Sequence, residues 1–327
     1  MRVDEAALRE RVAATLFPSL RLAAGDFTMA RPDPSGTSSS IFLIHADNLP
    51  PLLLRAFKRR VQAVRNVQAL RHLEQQGVRA PRLVFHDLSR GSRLLRSPDG
   101  ALPFLTVETW VEGTRVTDLT DRRTLHAARL KVAALLARFH AVTRDRWGRP
   151  GRPRRVPYVA HTLRKVRAQL RRVAARDWLR PADIERIRDA FDSWRARIAQ
   201  FSTFNLVHKD ANPDNFILDT EGAIVPVDLH RVAYAPFPEE LVTALHHVCP
   251  EDPEGERVVL EAYFARGNDE AKEIFEAIRG FFEPLYFLKK LHRRAERTGP
   301  ERLPGHRRMY CGELAAIRRW EGSAASG

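Results

Sequence analysis

Three polar residues in the second half of the chain have the types and spacing expected for transfer of a phosphoryl group. The segment from His208 to Asn215 reads His-x-Asp-x-x-x-x-Asn, and Asp228 follows after two apolar segments separated by a turn. A carboxylate such as Asp210 can accept the proton of an attacking hydroxyl. The amide oxygen of Asn215 and the carboxylate of Asp228 suit a hard divalent cation that bridges phosphates. The pattern therefore predicts metal-assisted phosphoryl transfer.

The segments around this loop are expected to hold its residues in place. Apolar residues 216–218 and 223–227 are predicted to form a hairpin across the turn at residues 219–222. Such a hairpin would return Asp228 to the side of Asn215. An ordinary polar turn would explain the loop's Asp and Asn residues, but it would not require an Asp after the second strand.

Residues 204–236 resemble the aminoglycoside phosphotransferase and choline kinase-like superfamily, and residues 134–142 resemble the Leu-Ala-x-x-His helix that precedes its catalytic region. The resemblance implies an α+β, two-lobed, protein-kinase-like fold with a small antiparallel-sheet N-lobe and a larger, mostly helical C-lobe. It predicts an N-lobe at residues 1–112 and a C-lobe at residues 113–327, with the catalytic loop region at 204–231. It also implies ATP and Mg²⁺ as cofactors.

In the N-lobe, the resemblance assigns phosphate contacts to a turn of small residues and to the strand that follows. The turn at residues 35–40 would let backbone N–H groups, including that of Ser38, approach a phosphate. Arg55, near the end of the apolar strand at residues 52–57, is the favoured phosphate-pairing cation because a guanidinium can bind phosphate in a bidentate fork. Lys58 remains the alternative.

The helix expected at residues 61–77 departs from the family pattern. In the family this helix usually carries a Glu that pairs with the strand cation, whereas alignment of this chain places Asn66 at that position. Glu74 lies about two turns further along the helix, which is too far. Three explanations remain open: a neutral hydrogen bond from Asn66, another partner for the cation, or weakened nucleotide binding, as in a pseudokinase.

The strand expected at residues 104–113 corresponds by resemblance to the hinge between the lobes, where backbone groups hydrogen-bond adenine. Glu108 and Trp110 are therefore candidate nucleotide contacts. Trp110 could stack on the base or equally well fill an apolar interface, since large aromatic side chains dominate protein cores.

Two histidines are predicted to be structural. His140 lies on the apolar side of a helix predicted at residues 121–143, so a hydrogen-bonded position in the core is expected. His208 is expected to pack beneath the loop and hold it.

The charge of the chain favours anionic partners. Its 327 residues include 55 Lys and Arg against 40 Asp and Glu, a formal charge of +15, although a coding bias toward arginine explains this equally well. Residues 144–155 contain six arginines and one acid with Gly and Pro, which predicts a mobile basic loop. This loop could contact an anionic substrate, a membrane surface or nucleic acid, or be merely solvated. No nucleic-acid reader motif occurs, so no specific nucleic-acid partner is expected.

The sequence leaves the acceptor open. Asp228–Arg231, which reads Asp-Leu-His-Arg, resembles lipopolysaccharide-core heptose kinases, and residues 54–59 resemble Kdo kinases. Those enzymes phosphorylate sugars of an anionic glycolipid at the inner membrane face. The loop at 208–215 is closer to the small-molecule kinases. The acceptor is therefore predicted to be a hydroxyl of a small molecule or sugar, with a lipopolysaccharide-core sugar as the alternative.

Targeting and cysteine patterns predict a cytoplasmic protein. Cys249 and Cys311 are isolated, which argues against a disulfide scaffold or a zinc site. The N-terminus lacks the apolar core of a signal peptide, and no apolar run approaches the length needed to span a bilayer. A peripheral contact with the inner membrane face through residues 144–155 stays open.

Overall fold

The structure, a computed structural model, describes residues 5–21, 27–32, 39–47, 49–89, 104–250, 252–265 and 269–297, together with Leu314. The chain divides into two compact units. The first comprises Met1–Ala128 and Asp214–Val232, and the second comprises Arg129–Pro213 and Ala233–Gly327. In this division the chain returns to the first unit after residue 213. The single lobe boundary predicted between residues 112 and 113 contains no such return, and it stays a prediction.

The described strands are β1 (Phe27–Ala30), β2 (Ser39–Ala46), β3 (Leu49–Phe57), β4 (Leu83–Asp87), β5 (Phe104–Thr109), β6 (Gly113–Arg115), β7 (Thr143–Arg144), β8 (Gly148–Arg149), β9 (Arg152–Pro153), β10 (Phe204–Val207), β11 (Phe216–Asp219), β12 (Ile224–Pro226) and β13 (Ala233–Ala235). The helices are α1 (Glu5–Ser19), α2 (Arg60–Gln75), α3 (Arg122–Ala141), α4 (Tyr158–Ala174), α5 (Pro181–Ser193), α6 (Arg195–Ala199), α7 (Phe237–Val248), α8 (Pro253–Phe264) and α9 (Asp269–Arg297). Short 3-10 turns cover Val116–Asp118, Pro213–Asn215 and Leu229–Arg231.

The main sheet of the first unit packs against a helix on each face. It is antiparallel with the strand order β1-β2-β3-β5-β4. One face forms a core cluster with α1, and because successive strand side chains alternate, Arg55 of β3 and Thr106 and Glu108 of β5 lie on the other face. Helix α2 packs against these strands and turns Asn66 inward. The core cluster includes Leu8, Val12, Leu16, Leu52, Leu54, Ala56, Leu105 and Val107.

The predicted hairpin after the loop is confirmed. Strands β11 and β12 pair antiparallel, with Phe216 opposite Pro226. The Asp219 carboxylate accepts backbone N–H bonds from Glu221 at 3.0 Å and from Ala223 at 2.8 Å, which closes the turn. Strand β6 pairs with the other edge of β11. A Cβ on Gly113 would lie 2.2 Å from the Leu218 carbonyl oxygen, so only glycine fits there.

The expectation of a loop at residues 144–155 is wrong. The segment begins at the end of β7 and forms the β8–β9 ribbon, which pairs through Gly148 with Tyr234 of β13. Strands β7, β10 and β13 complete this sheet of the second unit, whose order is β7-β10-β13-β8-β9. The Trp147 indole N–H donates to the Val156 carbonyl at 2.6 Å, which ties the base of the ribbon. Tyr234 lies far from Gly148 along the chain, so the local composition could not indicate their pairing.

The helices predicted at residues 61–77 and 121–143 correspond to α2 and α3. Within α2, Val61 is 43% exposed, whereas Ala63 and Asn66 are buried. Among the described residues, no helix combines the length and apolar character needed to cross a membrane. The α+β fold of antiparallel sheets and helices, with a mostly helical second unit, agrees with the prediction.

Candidate active site

Arg55 lies on the face of the main sheet that packs against α2. Its Nε donates to Glu108 Oε1 at 2.6 Å, and its Nη1 lies 3.4 Å from Asp228 Oδ1. Arg55 and Glu108 are only 7% and 2% exposed. Burial opposes the charge on Arg55, but Glu108 and Asp228 outweigh it and raise the pKa of the guanidinium. The pair is therefore a buried, charge-assisted contact.

Asn66 completes this network as a neutral donor. Its Nδ2 donates to Thr106 Oγ1 at 3.1 Å and to Glu108 Oε2 at 3.2 Å. The carboxylate that family members carry on the helix is thus replaced by Glu108 on β5, which Asn66 orients. Of the three explanations left open by the sequence, the structure supports another partner for Arg55. The sequence indicated this only in that Glu108 lies on the same face of the sheet as Arg55, by the alternation of strand side chains.

Asp228 ends the hairpin in a rare backbone conformation. Its φ of 57° and ψ of 49° are left-handed, a region that a non-glycine residue enters at some energetic cost. His230 Nδ1 lies 2.9 Å from Asp228 Oδ1, and α2 packs against the turn at residues 229–231. The carboxylate is therefore held by Arg55 and His230 while its side chain stays 28% exposed.

Asn215 lies beside Asp228 through the register of the hairpin. It ends the turn Pro213–Asn215, and its carbonyl accepts the Val227 N–H at 2.9 Å. Val227 immediately precedes Asp228, so the register places Asn215 and Asp228 at the same end of the hairpin. These are the oxygen donors that a hard divalent cation prefers. The residues present fit such an ion.

In the second unit, Glu240 holds the backbone of the loop that carries Asp210. The N–H groups of His208 and Lys209 donate to the two carboxylate oxygens of Glu240 at 2.8 and 2.6 Å. Lys209 has a φ of 68°, another left-handed position without glycine. Burial opposes ionisation of Glu240, but hydrogen bonding from His140 outweighs it and lowers the pKa of the carboxyl. Asp210 therefore stands on a doubly anchored loop.

The two predicted structural histidines are confirmed as buried. His140 contacts the Tyr263 hydroxyl at 2.5 Å through Nδ1 and Glu240 Oε2 at 3.1 Å through Nε2. His208 is fully buried beneath the loop. Glu240 was missed by sequence reasoning, and its only local signal was an acid in the first turn of the helix after the hairpin.

The remaining predicted site residues are placed as follows. Trp110 is half-buried just after β5, and its backbone N–H donates to the Pro51 carbonyl at 3.0 Å. The Glu108 side chain is engaged with Arg55, and Ser38 lies outside the described residues. Asp210 belongs to the second unit, whereas Arg55 and the two candidate metal ligands belong to the first. The functional roles of these residues stay predictions.

Comparisons with known proteins agree on the family. The sequence pattern of the phosphotransferase enzyme family matches residues 30–274. No curated protein sequence matches the chain.

Solved structures share the fold at low sequence identity. Aminoglycoside phosphotransferase APH(4)-Ia aligns with a TM-score of 0.67 at 13% identity, covering 99% of this chain and 100% of its own. Amicoumacin kinase hAmiN, in complex with AMP-PNP, Ca²⁺ and Ami, aligns with a TM-score of 0.64 at 14% identity over 97% and 94% of the chains. Choline kinase LicA from Streptococcus pneumoniae aligns with a TM-score of 0.54 at 13% identity, covering 99% of this chain and 99% of its own. The chain therefore belongs to the phosphotransferase enzyme family.

Proposed function

We propose that this protein transfers the γ-phosphate of ATP to a hydroxyl group of a small molecule or sugar. The observation that carries the proposal is the position of Arg55, which one buried carboxylate, Glu108, fixes while the other end of its guanidinium reaches Asp228. A nucleoside triphosphate with its metal ion requires a phosphate-binding cation beside a metal-binding carboxylate.

Each residue has one role in this proposal. Asp210 accepts the proton of the acceptor hydroxyl, and Arg55 binds nucleotide phosphate. Asn215 and Asp228 would hold Mg²⁺, which supplies positive charge to the phosphates when bound. The complex of amicoumacin kinase with AMP-PNP and Ca²⁺ supports ATP and a divalent cation as the cofactors. Glu108 and Asn66 orient Arg55 without contacting the nucleotide.

A second candidate function is phosphorylation of a lipopolysaccharide-core sugar. Exposed arginines at positions 152, 154 and 155, in and just after β9, favour an anionic glycolipid and a peripheral contact with the membrane surface. A cationic acceptor such as choline would gain nothing from these charges. This candidate concerns the acceptor and leaves the reaction unchanged.

The pseudokinase alternative loses its main support. It depended on the missing helix carboxylate at position 66, and Glu108 supplies a carboxylate to Arg55 from β5 instead. A nucleotide-binding module without catalysis would also have no need for an anchored Asp210.

The proposal is tested by γ-phosphate transfer from Mg-ATP to a panel of sugars, sugar phosphates, amino alcohols, aminoglycosides and lipopolysaccharide-core fragments. Asp210→Ala should reduce transfer by about 10²- to 10⁴-fold, the range for a general base, with nucleotide affinity nearly unchanged. Asp214→Ala, which removes an exposed carboxylate from the same loop, is the matched control. Full activity in Asp210→Ala would refute the assignment of the base. Nucleotide binding without transfer to any acceptor would instead favour the pseudokinase.

A further inference from the structure

A group of lysines in the second unit shares a single carboxylate next to the proposed base. Lys209 forms an ion pair with Glu239 Oε2, and Lys289 Nζ lies 2.5 Å from Glu239 Oε1. The Tyr158 hydroxyl donates to Glu239 Oε2 at 2.9 Å. Burial opposes ionisation of Glu239, but Lys209 and Lys289 outweigh it and hold the pKa of this carboxyl well below its usual range. Glu239 is therefore a carboxylate at neutral pH.

Helix α4 brings a third lysine to the same place. Tyr158, His161 and Lys165 follow one another at the spacing of a single helix face. Lys165 therefore lies on the helix face of Tyr158, whose hydroxyl binds Glu239. We call Lys165, Lys209 and Lys289 the lysine cluster.

The cluster carries more positive charge than a structural ion pair needs. One lysine would neutralise Glu239, and each further ammonium adds repulsion. Burial and repulsion from Lys209 accordingly lower the pKa of Lys289. The side chains of Lys209 and Lys289 are nevertheless 29% and 32% exposed, and Lys165 is exposed. The ammonium groups can therefore reach a ligand from solvent.

The cluster adjoins Asp210 along the chain. Lys209 directly precedes Asp210, and consecutive Cα atoms are about 3.8 Å apart. Lys289 on α9 pairs with the same Glu239 carboxylate as Lys209. An anion bound by these two lysines would therefore lie next to the proposed base.

We propose that the lysine cluster binds an anionic group, a phosphate or a carboxylate, carried by the acceptor. This inference rests on the proposed function, because it places the acceptor hydroxyl at Asp210. The acceptor is then a hydroxyl compound such as a phosphorylated or acidic sugar, and a cationic amino alcohol or aminoglycoside is disfavoured by repulsion from the cluster.

The test is the binding of glucose 6-phosphate and of inorganic phosphate to the full chain, measured by calorimetry with saturating Mg-AMP-PNP. The nucleotide occupies its own phosphate site, so the added anion reports on a second one. Lys165→Gln should weaken phosphate binding by about tenfold or more, the effect of losing one charge-assisted contact. Lys165→Arg, which keeps the charge, should retain affinity. Thermal denaturation of each variant identifies any that fails to fold.

The matched control is Lys272→Gln, which removes one exposed lysine from α9, the helix of Lys289, at a distance of several turns from the cluster. It should bind the anions as the wild type does. Failure of the wild type to bind either anion, or equal affinity in Lys165→Gln and the wild type, would overturn the inference. The proposed kinase activity is judged separately, by AMP-PNP binding and by the Asp210→Ala transfer assay.

A further arm distinguishes a free sugar phosphate from a glycolipid as the source of the anion. Vesicles containing a lipid with a phosphorylated sugar head group are compared with glucose 6-phosphate at equal phosphate concentration. Cluster-dependent binding to vesicles alone identifies a glycolipid, and cluster-dependent binding to the soluble compound identifies a free sugar phosphate. Both outcomes support an anionic acceptor.

Discussion

Glu108 in the first unit and Glu239 in the second are both largely withdrawn from solvent, yet they are neutralised by different numbers of cations. Glu108 shares the single guanidinium of Arg55 with Asp228. Glu239 receives the ammonium groups of Lys209 and Lys289. The first network contains more carboxylates than cations, and the second contains more cations than carboxylates.

This difference in charge balance indicates what each unit is built to bind. A carboxylate in excess suits a divalent cation, and ammonium groups in excess suit an anion. Under the proposed function the first unit would take the metal that accompanies the nucleotide, and the second would take an anionic acceptor. Substitutions that alter one network at a time therefore test whether this difference in charge balance matters.

The largest effect on stability is expected from Glu108→Gln. Removing one partner of a buried ion pair typically costs 3–5 kcal/mol, and we expect about 3 kcal/mol because Asp228 still contacts Arg55. Chemical denaturation of the wild type and the variant measures the difference. The double variant Asn66→Glu/Glu108→Gln moves the carboxylate to α2 and should recover much of the loss. Unchanged stability of Glu108→Gln would mean that Arg55 does not depend on this partner.

A smaller effect, on ligand affinity, is expected from Asp228→Ala. Affinity for Mg-ATP should fall by about tenfold or more, equivalent to about 1.4 kcal/mol. Affinity for metal-free ATP should stay equal or rise, because the guanidinium of Arg55 loses a competing carboxylate. Nucleotide titrations with magnesium and with a chelator give the two values, and Asp214→Ala is the control. Normal binding of Mg-ATP by Asp228→Ala would refute the metal assignment.

The network around Glu239 should affect the pH dependence of stability at acidic pH. A carboxyl whose pKa is lowered by folding stabilises the fold above its unfolded pKa, here about 4.5, and loses that contribution as the pH falls through the folded pKa. The free energy of unfolding of the wild type should therefore fall below about pH 4.5 more steeply than that of Glu239→Gln. Between neutral pH and about pH 5.5 the two curves should run parallel. Parallel curves throughout would contradict the depressed pKa.

The smallest effect is expected from Arg79→Ala, an exposed counterpart of the buried networks. Arg79 Nη2 lies 2.6 Å from Asp219 Oδ2 and 2.7 Å from Glu221 Oε2, and the Arg79 side chain is 49% exposed. Exposed pairs contribute about 0.2–1 kcal/mol, since solvent and salt screen them. Denaturation in low and high salt should show a small loss that salt removes. A loss as large as that in Glu108→Gln would show that burial is not what separates the two kinds of pair.

Local sequence was sufficient where the interactions are local. The hairpin of β11 and β12 and the helix α2 are defined by alternating or helical apolar patterns and by turn residues close to them. The role of Glu108 was not predictable in this way, because its partner Arg55 lies 53 residues earlier and is reached only through the register of β3 on β5. The same holds for the arginine-rich ribbon.

The lysine cluster escaped prediction for the same physical reason. Its members come from α4, the loop before the hairpin and α9, and no two of them are neighbours in the sequence. Glycine, proline and arginine content indicated a loop at residues 144–155, and the pairing of Gly148 with Tyr234 overrode that tendency. Composition described the charge of the chain but not where the charge gathers.

The return of the chain to the first unit at Asp214–Val232 has a consequence for synthesis. The ribosome makes the whole of Arg129–Pro213 before the segment that completes the first unit emerges. At roughly 5–20 residues per second, that wait is on the order of ten seconds. During it, Arg55 has Glu108 but no Asp228, and β6 has no neighbour in β11. A gene fragment that stops after Ala128 should therefore yield an incomplete first unit. A version of the protein split into two chains for reassembly would have to keep Asp214–Val232 with the first unit.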